Sequence, residues 1–329
     1  MNQTKKEKIF LTTLKQNIFL ALVLSVLLIN KTQAQQNRDF FFQKLTTFNG
    51  LSSNYIQCIF RDSRGYLWIG TPNGLNRYDG RNIKVYHHEA NNPHSLPRES
   101  IRQITEDKNG ILWLGADFGL IEFNPLNEKF NLYRHEAGNS KSLCEDHIPV
   151  PFVDSRNNLW IGTGKGLQFF NPRLHSFESF QPATSGSKTK NSWTGWTGIF
   201  TEDKYHNIWC TCSKGLLRFD EFNRSMKLFP LQNKLNFTIS NILIDHQGNF
   251  WVVLWSGGLY LFHPENGKFD LIDNLKFHKD NEFSNLSEWR DPAGNYWLAI
   301  CTGHGLLLYN HDEKETILVH QMPEAIAVW

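Results

Sequence analysis

The sequence is poor in helix-forming residues and in charge of either sign. Alanine occurs ten times and methionine three times in 329 residues, whereas Phe, Trp and Tyr together make up 14%. This imbalance favours pleated strands over helices. The formal net charge is +2, and five lysines against one glutamate lie in the first 34 residues, so the remainder carries about −2. A chain of this kind has no basic surface for nucleic acid, and we expect no nucleic-acid partner.

Long hydrophobic runs are also lacking, with one exception near the N-terminus. Residues 18–29 are nearly all apolar, follow a lysine-rich start and precede Thr32-Gln33-Ala34. Twelve residues are too few for an ordinary membrane-spanning helix, but this order of segments is typical of an export signal. We therefore predict a signal peptide over residues 1–34 and a periplasmic or cell-envelope domain over residues 35–329. An uncleaved anchor is the alternative.

Cysteine is scarce and lacks the spacing of a disulfide framework. Two of the five cysteines lie two residues apart on a predicted strand, where they share a face but cannot form an ordinary disulfide. The 13 histidines show no metal-ligand spacing, and His87 and His88 point in opposite directions if they lie on a strand. We predict buried free thiols, no metal site and no cofactor. The cysteines are Cys58, Cys144, Cys210, Cys212 and Cys301.

One motif, by contrast, occurs six times. In each copy an Asp precedes a Trp by six residues, and a turn glycine and an apolar-aromatic run follow. Successive Trp residues are 45, 47, 49, 42 and 46 positions apart, which matches the period of a four-stranded propeller blade. The recurring residues are Asp62, Gly65 and Trp68; Asp107, Gly110 and Trp113; Asp154 and Trp160; Asp203 and Trp209; Asp245 and Trp251; and Asp291 and Trp297.

Each of these recurring residues has an expected structural role in the blade. The Asp carboxylate can accept N–H groups of a tight turn between the first two strands of a blade, and Gly takes the positive φ angle there. The Trp is expected to fill the space between adjacent blades. Copies three and four have Asn157 and His206 at the Gly position. Because His tolerates that conformation less well than Asn, we expect the fourth turn to be the most distorted.

The sequence therefore predicts an all-β propeller of four-stranded blades, with six blades visible in an incomplete seven-bladed ring. Residues 40–47 resemble an outer strand of the kind that completes the last blade of a propeller. Residues 323–329 resemble the start of another inner strand. An Ile precedes the Asp by six residues in four copies, so Ile326 predicts an Asp beyond Trp329. We expect a truncated chain; a complete six-bladed protein with irregular ends is the alternative.

The repeat closely resembles that of the two-component regulator propeller. The resemblance rests on Asp62-Ser-Arg-Gly65-Tyr-Leu-Trp68-Ile-Gly70-Thr, on Gly74-Leu75, and on Phe123-Asn124-Pro125 with their counterparts. It implies the periplasmic sensor region of bacterial hybrid two-component histidine kinases, in which propellers precede a membrane helix and a kinase. It further implies sensing of carbohydrate fragments. The implied partners are a small-molecule or oligosaccharide ligand, and either a second propeller with a membrane-anchored kinase region or a homodimer mate.

Binding residues are expected in the loops that differ between copies, because packing needs repetition whereas a binding site needs asymmetry. The turn between the second and third strands of each blade emerges on the same face as the connection between blades. Aromatic side chains beside polar groups in these segments suit sugar rings. The candidate ligand-binding residues are Trp193, Trp196, Trp255, Asp117, Phe118, Lys165, Lys214 and His304. Ordinary packing or solvation is the alternative for each.

A propeller enzyme acting on glycans, a hydrolase or a lyase, is the competing function. The sialidase turn motif places Asp five residues before its aromatic residue, whereas the spacing here is six. A glycoside hydrolase also needs paired carboxylates or a Tyr nucleophile in non-repeating positions. Glu99, Glu145, Glu282 and Glu288 lie near loops, but no feature of the sequence couples any two. We therefore expect no catalytic residues. A standalone secreted interaction scaffold is a further alternative.

Overall fold

The computed structural model describes residues 44–147, 150–180, 197–231, 238–255, 258–272, 283–302 and 305–320. The chain divides into two compact units, Met1–Lys44 and Leu45–Trp329, and the description below concerns the second. The predicted signal peptide lies outside the described residues. Within the described residues, no helix is long and apolar enough to cross a membrane.

The described part of the chain forms six antiparallel sheets of four strands each, and every sheet uses four consecutive strands. We call these sheets blades 1 to 6 and their strands a to d in chain order. Blades 1 to 3 comprise β1 (Cys58–Arg61), β2 (Leu67–Thr71), β3 (Gly74–Tyr78), β4 (Ile83–Tyr86), β5 (Ile101–Glu106), β6 (Leu112–Ala116), β7 (Gly119–Asn124), β8 (Lys129–Tyr133), β9 (Val150–Val153), β10 (Leu159–Thr163), β11 (Gly166–Asn171) and β12 (Ser176–Phe180).

Blades 4 to 6 repeat this arrangement. They comprise β13 (Thr197–Glu202), β14 (Ile208–Cys212), β15 (Gly215–Asp220), β16 (Ser225–Pro230), β17 (Ile239–Ile244), β18 (Phe250–Leu254), β19 (Leu259–His263), β20 (Lys268–Leu271), β21 (Phe283–Arg290), β22 (Tyr296–Thr302), β23 (Gly305–Asn310) and β24 (Glu315–His320). The predicted all-β propeller with six visible blades is confirmed.

The a strands are innermost, and each contacts the a strand of the next blade, from β1 and β5 through to β17 and β21. The strand directions give the propeller two faces. We call the face with the a–b and c–d turns the turn face, and the face with the b–c turns and the connections between blades the loop face. A seventh blade stays a prediction, because residues 1–43 and 321–329 lie outside the described residues.

The segment before blade 1 differs in part from the sequence prediction. Of the predicted outer strand 40–47, residues 44–47 are described and none of them is in a strand. Thr46 instead caps a short 3₁₀ turn, Thr47–Asn49, by accepting a hydrogen bond from the Phe48 N–H, while the Asn49 side chain accepts one from the Thr46 N–H. Such local side-chain bonds compete with strand pairing for the backbone groups.

The recurring Asp holds both the a–b turn and the Trp. In all six copies its Oδ1 accepts the backbone N–H four residues later at 2.8–3.1 Å. In five copies its Oδ2 also accepts the indole Nε1–H, at 2.9 Å for Trp68 and Trp160, 2.8 Å for Trp209, 2.7 Å for Trp251 and 3.1 Å for Trp297. In blade 2, whose residues Asp107 and Trp113 are both described, this second bond is not made.

The position three residues after the Asp has a positive φ in every turn, which explains why glycine recurs there. Asn157 and His206 adopt φ angles of 69° and 66°. The expectation that the fourth turn is the most distorted is wrong, because His206 makes the same 2.9 Å backbone bond to its turn Asp as Asn157 does. The His206 ring compensates by bonding Glu202 at 2.6 Å and Ser155 of the preceding blade at 3.1 Å.

The Trp of each blade packs against the aromatic residue at the end of strand c in the next blade. Ring centroids are 4.9–6.2 Å apart at the five interfaces, for the pairs Trp68–Phe123, Trp113–Phe170, Trp160–Phe219, Trp209–Phe262 and Trp251–Tyr309. The six Trp side chains are at most 5% exposed. The prediction that they fill the space between blades is confirmed at these five interfaces.

Polar contacts on the turn face reinforce these interfaces. The residue after the turn Asp bonds a glutamate from strand a of the following blade. Ser63 donates to Glu106 through its N–H at 2.7 Å and its hydroxyl at 2.9 Å, and Ser155 does the same to Glu202 at 2.6 and 2.7 Å. At the interface of blades 5 and 6, His246 takes the place of the serine and bonds Glu288.

The five cysteines, all of which lie in the described residues, are free thiols. Cys210 and Cys212 lie on the same face of β14 and are buried in the core between blades 3 and 4, as predicted. Burial raises the pKa of the Cys58 thiol to about 12. The prediction of buried free thiols is confirmed for the pair on β14, whereas the other three cysteines have intermediate exposure.

Replacing the turn Asp should lower the free energy of unfolding most in the blades where this Asp also accepts the indole N–H. In Asp154→Ala the buried Trp160 N–H loses its acceptor together with the turn N–H groups, and we expect a loss of about 3 kcal/mol. Asp107→Ala is the matched control, because Trp113 does not depend on that carboxylate, and it should cost about 1–2 kcal/mol less. Urea denaturation followed by Trp fluorescence measures both losses; equal losses would contradict the role of the indole bond.

Candidate functional site

The loop face carries a charged cluster between the inner strand and the b–c turn of blade 2. Arg102 donates to Asp117 from Nε at 2.5 Å and from Nη2 at 3.2 Å, and the Ser100 hydroxyl donates to the same carboxylate at 2.8 Å. Asp117 occupies the turn that joins β6 to β7, and Ser100 directly precedes β5. The cluster thus stands where the innermost strand of blade 2 meets the loop face.

A β-bulge explains how Arg102 reaches this position. Strand β5 pairs Ile101 with Ala116 and Gln103 with Gly115, so Arg102 is the extra residue of the bulged strand. A bulge re-aims the side chain of its extra residue. The guanidinium can therefore meet the carboxylate of the b–c turn, although the residues on either side of Arg102 stay in the antiparallel ladder.

The electrostatics of the cluster keep Asp117 ionised. Burial by itself raises the pKa of the Asp117 carboxyl, but the hydrogen bonds from Arg102 and Ser100 and the charge of Arg102 outweigh it, so the pKa lies below its usual value. The side chains of Arg102 and Asp117 are 40% and 34% exposed. Both therefore keep polar surface that can bind a solute.

Further polar groups surround this cluster on the loop face. The Gln57 side chain lies 3.4 Å from the Ser100 hydroxyl, and the charge of His147 acts on Asp117. In blade 3 the carboxylate of Glu145 accepts the Gly164 N–H, and Lys165 donates to the Cys144 carbonyl at 2.9 Å. Among the described residues, blades 1 to 3 thus present several donors and acceptors on the loop face.

The remaining candidate ligand-binding residues lie in different environments in the structure. Phe118 is only 9% exposed and packs into the core of blades 1 and 2, with Arg98 over its ring at 5.5 Å. Trp255 is 48% exposed on the loop face, and its backbone N–H bonds the Thr238 carbonyl. Lys214 accepts the Leu231 N–H through its backbone carbonyl. Trp193, Trp196 and His304 lie outside the described residues.

The carboxylates considered for glycan hydrolysis are spread over both faces. Glu99 lies on the loop face, 3.9 Å from His87, and Glu145 lies in the next connection along the chain. Glu288 is on the turn face, bonded to His246, and Glu282 lies outside the described residues. Among the described residues there is also no group of three His, Cys, Asp or Glu side chains that could hold a metal.

Ser100 and Arg102 were not among the candidates that the sequence offered. The residue five positions before the turn Asp is Gln57, Arg102, Pro149, Gly198, Ser240 or Leu286 in the six copies. Arg102 is the one charged residue in this set. A charge at a position that is otherwise uncharged in the inner strand is therefore the signal that could have identified the cluster.

The fold and the blade signature define a β-propeller whose blades are joined through a turn Asp and a buried Trp. Residues 50–73 and 95–118 match the family model of the two component regulator propeller. The chain thus contains two-component regulator propeller repeats, and the resemblance drawn from the sequence is confirmed.

Several known proteins are similar to parts of the chain. Histidine kinase P4 of Formosa agariphila is 43% identical over 58 residues, which cover 18% of this chain and 4% of that protein. The extracellular domain of the hybrid two-component system BT3049 from B. thetaiotaomicron has 20% identity and a TM-score of 0.69, over 86% of this chain and 37% of that one. Virginiamycin B lyase from Staphylococcus aureus has 15% identity and a TM-score of 0.57, over 76% and 78% of the two chains.

These similarities differ in what they convey. The likenesses to solved structures, at 20% identity or less, show the propeller fold alone. The chain spans little more than a third of the BT3049 extracellular domain and only a small fraction of the curated kinase that it matches.

The Arg102–Asp117 pair should make stability depend on pH. Because the folded-state pKa of Asp117 is lowered, its contribution is present above the unfolded value of about 3.9 and is lost as the pH falls through the folded value. Arg102→Met should therefore lower stability at pH 7 by about 1 kcal/mol or less, given the exposure of the pair. At pH 2.5 the difference from the wild type should shrink.

Thermal unfolding at both pH values measures this effect. Arg173→Met, which removes an exposed arginine from the turn face, serves as the control and should show no comparable change between the two pH values. An equal deficit of Arg102→Met at pH 7 and pH 2.5 would show that the arginine acts through packing and not through its charge.

Proposed function

We propose that this chain is an extracytoplasmic ligand-sensing propeller region of a two-component signal-transduction sensor, and that its ligand is a carbohydrate fragment. The propeller binds the ligand, and the kinase activity resides in other domains of the sensor. The two-component regulator propeller repeats, together with the short match to a histidine kinase, support the link to signalling.

The observation that carries the ligand assignment is the asymmetric cluster of Ser100, Arg102 and Asp117. A carboxylate accepts two hydrogen bonds from neighbouring sugar hydroxyls, and a guanidinium donates two to hydroxyl or ring oxygens, so the pair offers both halves of a bidentate contact. The half-exposed Trp255 on the same face provides an apolar surface for a sugar ring. The recurring Asp residues hold the a–b turns and the recurring Trp side chains are buried, so they are not available for this purpose.

We also propose a cellular location for the protein and partners for signal transfer. The lysine-rich start and short apolar run of the first 34 residues support export to the periplasm or cell envelope. Signal transfer then needs either a second propeller with a membrane-anchored kinase region or a second copy of the chain. A truncated chain would bind ligand without transmitting the signal.

The second candidate function is a glycan-degrading enzyme, and what supports an enzyme of some kind is that virginiamycin B lyase has a similar fold. The positions of the carboxylates argue against it. The Glu145 carboxylate accepts the Gly164 N–H, Glu99 lies 3.9 Å from His87, and Glu288 lies on the opposite face. We therefore favour binding without turnover.

Calorimetric titration of the mature protein with a panel of defined oligosaccharides tests the proposal. At least one glycan should bind saturably, and Asp117→Asn should weaken its binding at least tenfold, because the amide replaces one acceptor by a donor. Asp79→Asn is the matched control: it makes the same exchange at an exposed carboxylate in a c–d turn on the turn face, and should leave the affinity unchanged.

Two results would contradict the proposal. Release of shortened or unsaturated glycan products during the titration would favour the enzyme. Equal affinity of the wild type and Asp117→Asn, for a glycan that does bind, would place the ligand elsewhere on the propeller.

A further inference from the structure

The turn face carries four strongly exposed apolar side chains, and all of them lie in blades 2 to 4. Leu126, Leu174 and Phe222 are in the c–d turns of blades 2, 3 and 4, and Tyr205 is in the a–b turn of blade 4. Their exposed fractions are 81%, 69%, 96% and 73%, higher than those of the other large apolar side chains in the described blades. Single exposed apolar residues are ordinary, but their recurrence in the same turn of three successive blades is not a scattered pattern.

Each of these c–d turns holds its apolar side chain in solvent with hydrogen bonds of its own. The residue that ends strand c accepts a backbone N–H of the turn through its side chain. In blade 2 Asn124 accepts the Leu126 N–H at 2.9 Å, and in blade 3 Asn171 accepts the Leu174 N–H at 3.2 Å. The corresponding bond in blade 4, made by Asp220, is 3.0 Å long. Because the turns are already ordered, a partner that covers the side chains need not fix the backbone first.

The other three blades have polar residues in the same turn. The c–d turns of blades 1, 5 and 6 span residues 79–82, 264–267 and 311–314, and none of them contains Leu, Ile, Phe, Tyr or Trp. Those of blades 5 and 6 carry exposed acids instead, among them Glu265 and Asp312. The turn face is therefore divided into an apolar part over blades 2 to 4 and an acidic part over blades 5 and 6.

Cations accompany the apolar part of the turn face and are available to an outside partner. Lys129, Arg173 and Lys204 are exposed there. They make no ion pair with any described residue. The acids of the same turns, Glu128 and Glu221, are by contrast paired with basic residues of the preceding blades. The apolar part thus presents uncompensated positive charge, which is complementary to an anionic surface.

A lipid surface fits this arrangement better than a protein does. The apolar side chains belong to separate blades and have polar neighbours in their turns, whereas a protein interface buries a contiguous apolar core. Lipid headgroups admit apolar side chains singly, and basic side chains beside them meet the phosphates. We therefore infer that the turn face of blades 2 to 4 docks on a lipid surface that carries anionic headgroups. The cluster around Asp117 lies on the other face, so the inference does not depend on the proposed carbohydrate ligand.

Co-sedimentation with lipid vesicles tests this inference. The mature protein, residues 35–329, lacks the apolar run of residues 18–29, which could itself enter a membrane. It should sediment with vesicles of equimolar phosphatidylcholine and phosphatidylglycerol. Binding to vesicles of phosphatidylcholine alone should be weaker by roughly tenfold or more, because the cations then lose the anionic headgroups. Added salt should weaken binding to the anionic vesicles for the same reason.

Serine variants test the apolar contact. Phe222→Ser should weaken binding to the anionic vesicles by roughly threefold or more, and the further changes Leu126→Ser and Leu174→Ser should bring the loss to roughly tenfold or more. The melting temperature should stay the same, since all three side chains are exposed in the folded protein. Leu271→Ser is the control, because it removes an exposed leucine at the loop-face end of β20. It should leave binding unchanged.

The cations have a matched control in blade 5. Lys129 and Lys268 are each the first residue of strand d in their blade, and both are exposed. Lys129→Gln should weaken binding to the anionic vesicles by about fivefold, because it removes a cation beside the headgroups. Lys268→Gln makes the same exchange outside the apolar part of the turn face and should have no effect.

Three outcomes would overturn the inference. Absence of sedimentation with the anionic vesicles would show that the protein does not bind lipid. Binding that the combined serine variant leaves unchanged would place the lipid contact elsewhere on the protein. If the protein without lipid forms a dimer in sedimentation velocity and the serine variant is monomeric, the apolar part of the turn face binds a second copy of the chain.

Discussion

The whole propeller depends on one carboxylate per blade that serves two elements at once. One oxygen of the Asp closes the turn between strands a and b, and in five blades the other oxygen holds the indole N–H six residues later. An indole buried between sheets without an acceptor would cost free energy. With the acceptor, the ring is fixed in orientation and can pack against the aromatic residue of the next blade. Local turn geometry and packing between blades are therefore set by the same side chain.

This arrangement leaves little freedom for substitution in the repeated strands and a–b turns, which we call the framework, and more in the loops at the ends of the strands. Each blade repeats the same contacts, so a residue of the framework cannot change without affecting an interface. The b–c turns and the connections are not bound by this requirement. Asp117 and Arg102 use that freedom: one lies in a turn, and the other is the extra residue of a bulge.

Much of the framework could be predicted from the sequence, because its determinants are short-range and repeated. The interval between Asp and Trp fixes the turn, and the positive φ angles of Asn157 and His206 follow from their alignment with glycine. The fourth turn was expected to be strained because a His is unfavourable there in isolation. Its ring, however, finds Glu202 and Ser155, and the latter comes from another blade. Such compensation depends on tertiary neighbours that a turn pattern does not contain.

The candidate site was predicted only in part, for a similar reason. Asp117 stood out as a charge in a variable turn, and Trp255 as an aromatic in an equivalent turn. The partner Arg102 lies 15 residues before Asp117 and reaches it through a bulge, which alternating hydrophobicity does not indicate. Phe118 has the same kind of sequence context as Asp117, but its ring turns inward to the core. Which of two adjacent turn residues faces solvent is decided by packing against the neighbouring blade.

In the described part of the chain, every backbone ladder closes within its own four strands, and neighbouring blades are held together by side chains and a few loop contacts. If such a chain is pulled from its two ends, the contacts between blades can break first, since one blade can unfold while the ladders of the others stay intact. Each blade of about 45 residues would then release a length of roughly 150 Å. A tether built in this way extends in steps under load, a mechanical property that a single continuous sheet would not possess.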